Sequence, residues 1–184
     1  AGMALLLAAL CARGQSAIAI GRDGRLSGPE LIAALARGIQ KSGIDVIDVG
    51  CVPTPMVYFA AHHLRTRCAV MITGSHNPPD YNGLKMVLAG ETLSGETIQK
   101  LRQRIEQNDL THGNGSYSQY DIAPEYLDRI ISDIRLARPL NITVDCGNGV
   151  AGDFAARLYR GLGCKVTEMF CEVDGNFPNH HPDP

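Results

Sequence analysis

The sequence predicts an α/β fold: a three-layer αβα domain on a mixed, mainly parallel sheet, followed by the start of a second similar domain. Three observations lead there. Short apolar runs, "AIAI" (17–20), "IDVIDVG" (44–50) and "AVMIT" (69–73), alternate with stretches of helical spacing. Strands that apolar pair in parallel and need helices on both faces. A polar, glycine-rich stretch over 108–120 then separates this series from another strand–helix–strand set, dividing the chain into 1–120 and 121–184. With 184 residues, 45% hydrophobic and 20% charged, the chain has the composition of a globular protein of one domain plus part of another. A net charge of −2 gives no sign of a nucleic-acid or membrane surface, so neither is an expected partner.

In order along the chain, "AGMALLLAALCA" (1–12) has no charged leader before it and is too short to cross a bilayer, so it reads as a core helix. After the first strand, Ser27 stands three residues before Glu30, the capping-box spacing, with Pro29 in the first turn. Leu31, Leu35 and Ile39 continue that helix and Gly43 stops it. Thr54 and Pro55 read as an N-cap and N1 pair for a helix to about Leu64. An Asn-Gly turn opens a strand within 82–90, and Ile98, Leu101 and Ile105 mark a helix from about Gly95 to Gln107. The charges of "LRQRIEQND" (101–109) belong to its solvated face. His62 and His63 read as exposed helix residues.

The second set opens with a helix over 123–136, striped by Tyr126, Leu127, Ile130, Ile131 and Ile134. "NITVDCGNGVAG" gives a strand and glycine turn, "DFAARLYRGLG" a helix and "CKVTEMF" a strand. Two strands do not make an independently stable sheet, so this unit is expected to be incomplete and the chain to be a piece of a longer one. The six cysteines show no C-x-x-C spacing and sit mostly in apolar segments, which fits a reducing cytoplasm.

The chemistry concentrates in "TGSHNPPDYNGLK" (73–85). In parallel α/β sheets, function gathers beyond the carboxyl ends of strands, and Ser75 falls there. Pro78 and Pro79 remove two donors and two soft φ angles, which stiffens the loop around a positioned nucleophile. Lys85 can return to the same mouth and move a proton or balance a phosphate charge. His76, Arg22 and Arg25 add cationic donors for an anion. The bland alternative is a turn whose polar side chains satisfy the loop backbone. An adjacent Ser-His pair is no hydrolase triad, and the G-x-S-x-G elbow is absent.

Two other patterns invite a different chemistry. "GNGVAG" (147–152) fits G-x-G-x-x-G between a strand and a helix, with Glu168 and Glu172 near the distance of a ribose-binding acid. Against a dinucleotide, Asp145 lies close to where a pyrophosphate would sit, and a tight strand-to-helix turn explains the same glycines. His180, His181 and Asp183 could be taken for metal ligands, but adjacent histidines rarely converge on one ion.

The stretch 73–85 resembles the phosphoserine loop of the α-D-phosphohexomutases, in their phosphomannomutase/phosphoglucomutase branch. "GRDGRLSG" (21–28), "VDCGNGVAG" (144–152) and "VDGNFPNHHPDP" (173–184) agree in order and spacing. The resemblance implies that Ser75 carries a phosphoryl group and Lys85 is the general acid/base. His76 would act beside them, while Arg22, Arg25 and Asn77 would bind phosphate or shape the loop. It further implies a relay through a hexose 1,6-bisphosphate between hexose 1- and 6-phosphates, mannose and glucose above glucosamine. Mg2+ would be held partly by the Ser75 phosphate and partly by an aspartate loop beyond Pro184. The 184-residue piece alone would then be almost inactive. The competing expectation is a non-catalytic phosphate- or dinucleotide-binding α/β module.

Overall fold

The computed structural model describes residues 16–181; the apolar run 1–12 and Asp183 lie outside the described residues. Three buried strands, β1 (Ala17–Arg22), β2 (Asp45–Cys51) and β3 (Ala69–Ile72), pair in parallel with β1 at the centre. β4 (Leu84–Leu88) returns antiparallel to β3, and β5 (Glu91–Thr92) antiparallel to β4. With β6 (Tyr117–Gln119) beside β2, the order across the sheet is β5-β4-β3-β1-β2-β6. The sheet is therefore mixed and mainly parallel, as its sequence predicts.

Strand alternation divides the core between two faces. Ile18 and Ile20 point to the side of α1 (Gly28–Gln40) and α3 (Gly95–Glu106), packing with Ile32, Leu35, Ile39 and Leu101. Ala19 points the other way, to Met56, Val57 and Ala60 of α2 (Thr54–His63), and Met71 joins it from β3. A β-carbon on Gly21 would come 2.6 Å from Val57 Cγ2, so the glycine lets α2 lie close on the sheet. Burying an Ile or Met side chain stabilises by about 1.5–3 kcal/mol each, which makes this double core the main support of the site.

The second set of elements comprises α4 (Ala123–Asp133), β7 (Asn141–Asp145), α5 (Gly152–Gly161) and β8 (Lys165–Met169), with β7 and β8 parallel. It rests on the α2 side of the first sheet. Ile122 and Ala123 are buried in the α2 cluster, and Tyr126 meets Phe59 edge to face at 5.4 Å.

Several local expectations need correction. Ser27 has helical backbone angles and makes no side-chain cap; its hydroxyl accepts from Asn82 Nδ2 at 2.8 Å. A capping serine needs an extended backbone to reach back to the helix amides. The cap position before α2 is Pro53, and Thr54 is already helical. The buried stripe of α1 is Ile32, Leu35, Ala36 and Ile39, one residue out of phase with the expected start, and Leu31 is exposed. α4 stops at Asp133 because Ile134 turns extended. β6 falls inside the polar stretch where no strand is expected. It has no buried residue, and is held by the backbone ladder and by Tyr117 Oη donating to Asp48 Oδ2 at 2.7 Å. Among the described residues no helix is long and apolar enough to cross a membrane.

Ile20→Ala should lower unfolding stability by about 2–5 kcal/mol with the denaturant slope unchanged, read from urea titration followed by circular dichroism.

Candidate active site at the carboxyl end of β3

Because β1 and β3 are parallel neighbours, the loops leaving their carboxyl ends meet. Asp23 N continues the ladder to Ile72 O at 3.0 Å, which brings the first loop against the second. There the Asp23 carboxylate serves both. One oxygen accepts from Arg25 N at 3.1 Å; the other accepts from Arg25 Nε and from Gly74 N, each at 3.1 Å. The Arg25 side chain is sealed, its residue 1% exposed. Its Nη2 donates to Ser75 O at 3.0 Å and Asn77 O at 2.7 Å, and its Nη1 donates to Pro78 O. A buried guanidinium is tolerable only when its charge is paired and its donors are engaged, and here both conditions hold.

Gly74 is required by this arrangement. A β-carbon there would fall on the Arg25 guanidinium and lie 2.6 Å from Tyr81 O. Ser75 follows with φ +53°, a left-handed conformation that non-glycine residues enter at a cost of about 1–3 kcal/mol. Its amide donates to Thr73 Oγ1 at 2.9 Å. Asn77 closes the turn by donating from N and Nδ2 to Gly74 O at 3.0 and 2.8 Å. The Ser75 side chain stays exposed.

It opens on a cavity of about 490 Å³ that also touches His76, Asp23, Cys146, Phe177 and His180, so both sets of elements contribute to the wall. The structure thus brings Ser75 and His76 together, with Asn77 in the same turn. Arg25, expected among the anion donors, lies beneath the loop instead of facing the cavity. Arg22 is half-buried, donates from Nη1 to Asp23 O at 2.9 Å and does not line the cavity. Lys85 is exposed on β4 opposite Met71, which turns it toward the α2 side, and it is outside the cavity wall.

Sequence reasoning missed the clamp role of Asp23. The signal was present, since an aspartate between two arginines in one tight loop is placed to pair with one of them. It also missed an ion pair across the cavity. His180 Nε2 lies 3.1 Å from Asp145 Oδ1 and its Nδ1 3.0 Å from His181 O. With acceptors at both ring nitrogens, the His181 carbonyl first and the carboxylate second raise the His180 pKa above 6.5. The His180 bond and the Gly147 amide lower that of Asp145 below 3.8. Cys146, beside Asp145, has its thiol pushed up to about 12, by burial and then by Cys171, whose sulfur is 3.5 Å away.

The glycines of "GNGVAG" meet the protein's own atoms. A β-carbon on Gly147, at φ +50°, would lie 2.5 Å from His180 Cε1, and one on Gly152 would strike the Cys171 carbonyl. His180 is thus engaged by Asp145, and among the described residues no group of three or more His, Cys, Asp or Glu could hold a metal ion. These residues do not by themselves form a Mg2+ site.

Residues 1–112 match phosphoglucomutase/phosphomannomutase alpha/beta/alpha domain I, and residues 124–184 match domain II. The chain belongs to the phosphoglucomutase/phosphomannomutase family. It is 60% identical over 173 residues to a phosphomannomutase/phosphoglucomutase of Pseudomonas aeruginosa, covering 94% of this chain and 37% of that protein. A phosphoglucomutase of Neisseria meningitidis is 59% identical over 174 residues, covering 94% of this chain and 38% of its own length. A crystal structure of a phosphoglucomutase/phosphomannomutase family protein from Burkholderia thailandensis superposes with a TM-score of 0.95 at 51% identity, covering 100% of this chain and 42% of that one. The chain therefore spans well under half of these relatives.

Gly74→Ala should displace the Arg25 guanidinium and cost about 1–3 kcal/mol, measurable as a lower urea midpoint. For the ion pair, the raised His180 pKa stabilises fully below 6.5 and is lost as pH rises through its folded value. The lowered Asp145 pKa stabilises fully above 3.8 and is lost as pH falls through its folded value. An NMR titration of the His180 ring should therefore give a midpoint above 6.5, and Asp145→Asn should bring it down.

Proposed function

We propose that this chain carries the relay serine of a phosphohexomutase that interconverts hexose 1-phosphate and hexose 6-phosphate, with mannose and glucose phosphates as substrates. Residues 1–120 would be the serine-bearing domain and 121–184 the opening of the next. Phosphorylated Ser75 transfers its phosphoryl group to the free hydroxyl of the sugar phosphate. The P–O bond to Ser75 breaks as a P–O bond to the sugar forms; the sugar's hydroxyl proton passes to a base, and the departing Ser75 Oγ takes up a proton to become the free hydroxyl. The resulting hexose 1,6-bisphosphate turns over and returns its other phosphate to Ser75.

The observation that carries this reading is a serine offered to a cavity while its own loop is held from below by a buried arginine. Such a hydroxyl meets a bound reactant with little freedom left to lose. The names of the relatives support the substrate class. Lys85 is the proposed acid/base, carried on β4, the strand that runs back alongside β3 from the same loop. His76 and Asn77 shape the loop, and Arg25 holds it. His180 across the cavity, its pKa raised by the His181 carbonyl and the Asp145 carboxylate, would offset phosphate charge when protonated.

In a chain extended to the full length of these relatives, Ser75→Ala should abolish most turnover. Lys85→Ala should slow it by about 10²–10⁴-fold with the circular dichroism spectrum unchanged. Normal turnover by Ser75→Ala sinks the relay. The 184-residue chain alone should show almost no interconversion of the two sugar phosphates.

A further inference from the structure

Arg25 has an edge and a face, and they answer to different parts of the chain. Its edge is taken by Asp23 and by the carbonyls of Ser75, Asn77 and Pro78. Its face is covered by the Phe177 ring, whose centroid is 5.5 Å from Arg25 Cζ. Phe177 follows β8, in the second set of elements. We infer that Phe177 is a positioning residue for Ser75, acting through the plane of Arg25; this deepens the relay reading and rests on it.

The contact is built on both sides. A β-carbon on Gly175 would lie 2.7 Å from Gly24 O and 2.9 Å from Leu26 N, and one on Gly24 would strike Val173. The two segments therefore meet backbone to backbone, and Phe177 is delivered by that approach. Its own conformation is unusual, with φ +50°. It is fixed by its amide donating to Asp174 O at 3.0 Å, while Asp174 N donates to Asn148 O at 3.0 Å. Asn148 is buried in the glycine turn after β7 and donates from Nδ2 to Glu172 O at 2.9 Å. A chain of hydrogen bonds thus runs from the "GNGVAG" turn to the Phe177 backbone.

A planar guanidinium can hold three loop carbonyls in fixed directions only while its plane is fixed. Carboxylate pairing at Nε sets one point of that plane. The aromatic face, attracted to the cation, sets its tilt. Loss of the ring removes the support on that face, so the guanidinium can tilt on its edge bonds and the strained Ser75 turn is held less firmly. The ring thereby makes the serine loop depend on the second set of elements.

The test compares Phe177→Leu and Phe177→Met, which fill the space without a ring, with Phe177→Tyr, which keeps one. On the 184-residue chain, hydrogen exchange of the Gly74–Asn77 amides should quicken about tenfold in the Leu and Met variants, with β1 and β3 amides unchanged. Tyr should restore the parent rate. In the extended chain kcat should fall about tenfold with KM unchanged, again rescued by Tyr. Unchanged loop exchange in a folded Leu or Met variant overturns the inference. Faster exchange spread evenly over the sheet also overturns it, since that marks general packing loss. If Ser75→Ala proves active, the relay fails, yet the exchange experiment still decides whether Phe177 holds the loop.

Discussion

A carboxylate and a guanidinium buried where two strand ends meet hold the rest of the site in place. Taking both charges from water costs several kcal/mol each unless every polar atom finds a partner. The Asp23–Arg25 pair, 3.1 Å apart, meets that demand by drawing on the backbone of the loop above it. The loop in turn adopts a left-handed serine and excludes any side chain at Gly74. Burial, charge pairing and backbone strain are therefore one constraint, and the double core beneath β1 and β3 keeps it rigid.

The second set of elements completes the surroundings of the serine. It supplies the far wall of the cavity, an aspartate–histidine pair biased toward its charged form, and the ring on Arg25. A phosphorylated serine would bring negative charge into this space. Two basic side chains stand differently toward it: Arg25 is locked under the loop and shapes it, and His180, with its pKa raised, lines the cavity.

Much of the fold was legible because strand alternation and helical stripes are written in apolar residues. Ile18–Ile20 of "AIAI", Ala69–Ile72 of "AVMIT" and the stripe through Leu35 and Ile39 became core. β6 was not legible, since three exposed residues held by a ladder carry no apolar pattern. The serine loop could be read from Ser75, its prolines and Lys85 as a motif. The part played by Arg25 could not, because a sequence displays charge without burial, and an arginine near a phosphate loop reads first as an anion donor. Phe177 and the Asp145–His180 pair were hidden for a different reason. Their partners lie 152 and 35 residues away along the chain, and only the folded chain brings them together: the first across the two sets of elements, the second within the later one.

The central claim is that one hydroxyl, held in a strained turn over a buried arginine, is the stopping place of the phosphoryl group. Its most direct measurement is peptide mapping by mass spectrometry of the extended chain after exposure to a hexose 1,6-bisphosphate. The account predicts a single added phosphate, confined to the peptide containing Ser75 and discharged when sugar phosphate is supplied. A phosphate found on another residue, or none found while the enzyme turns over, would contradict it.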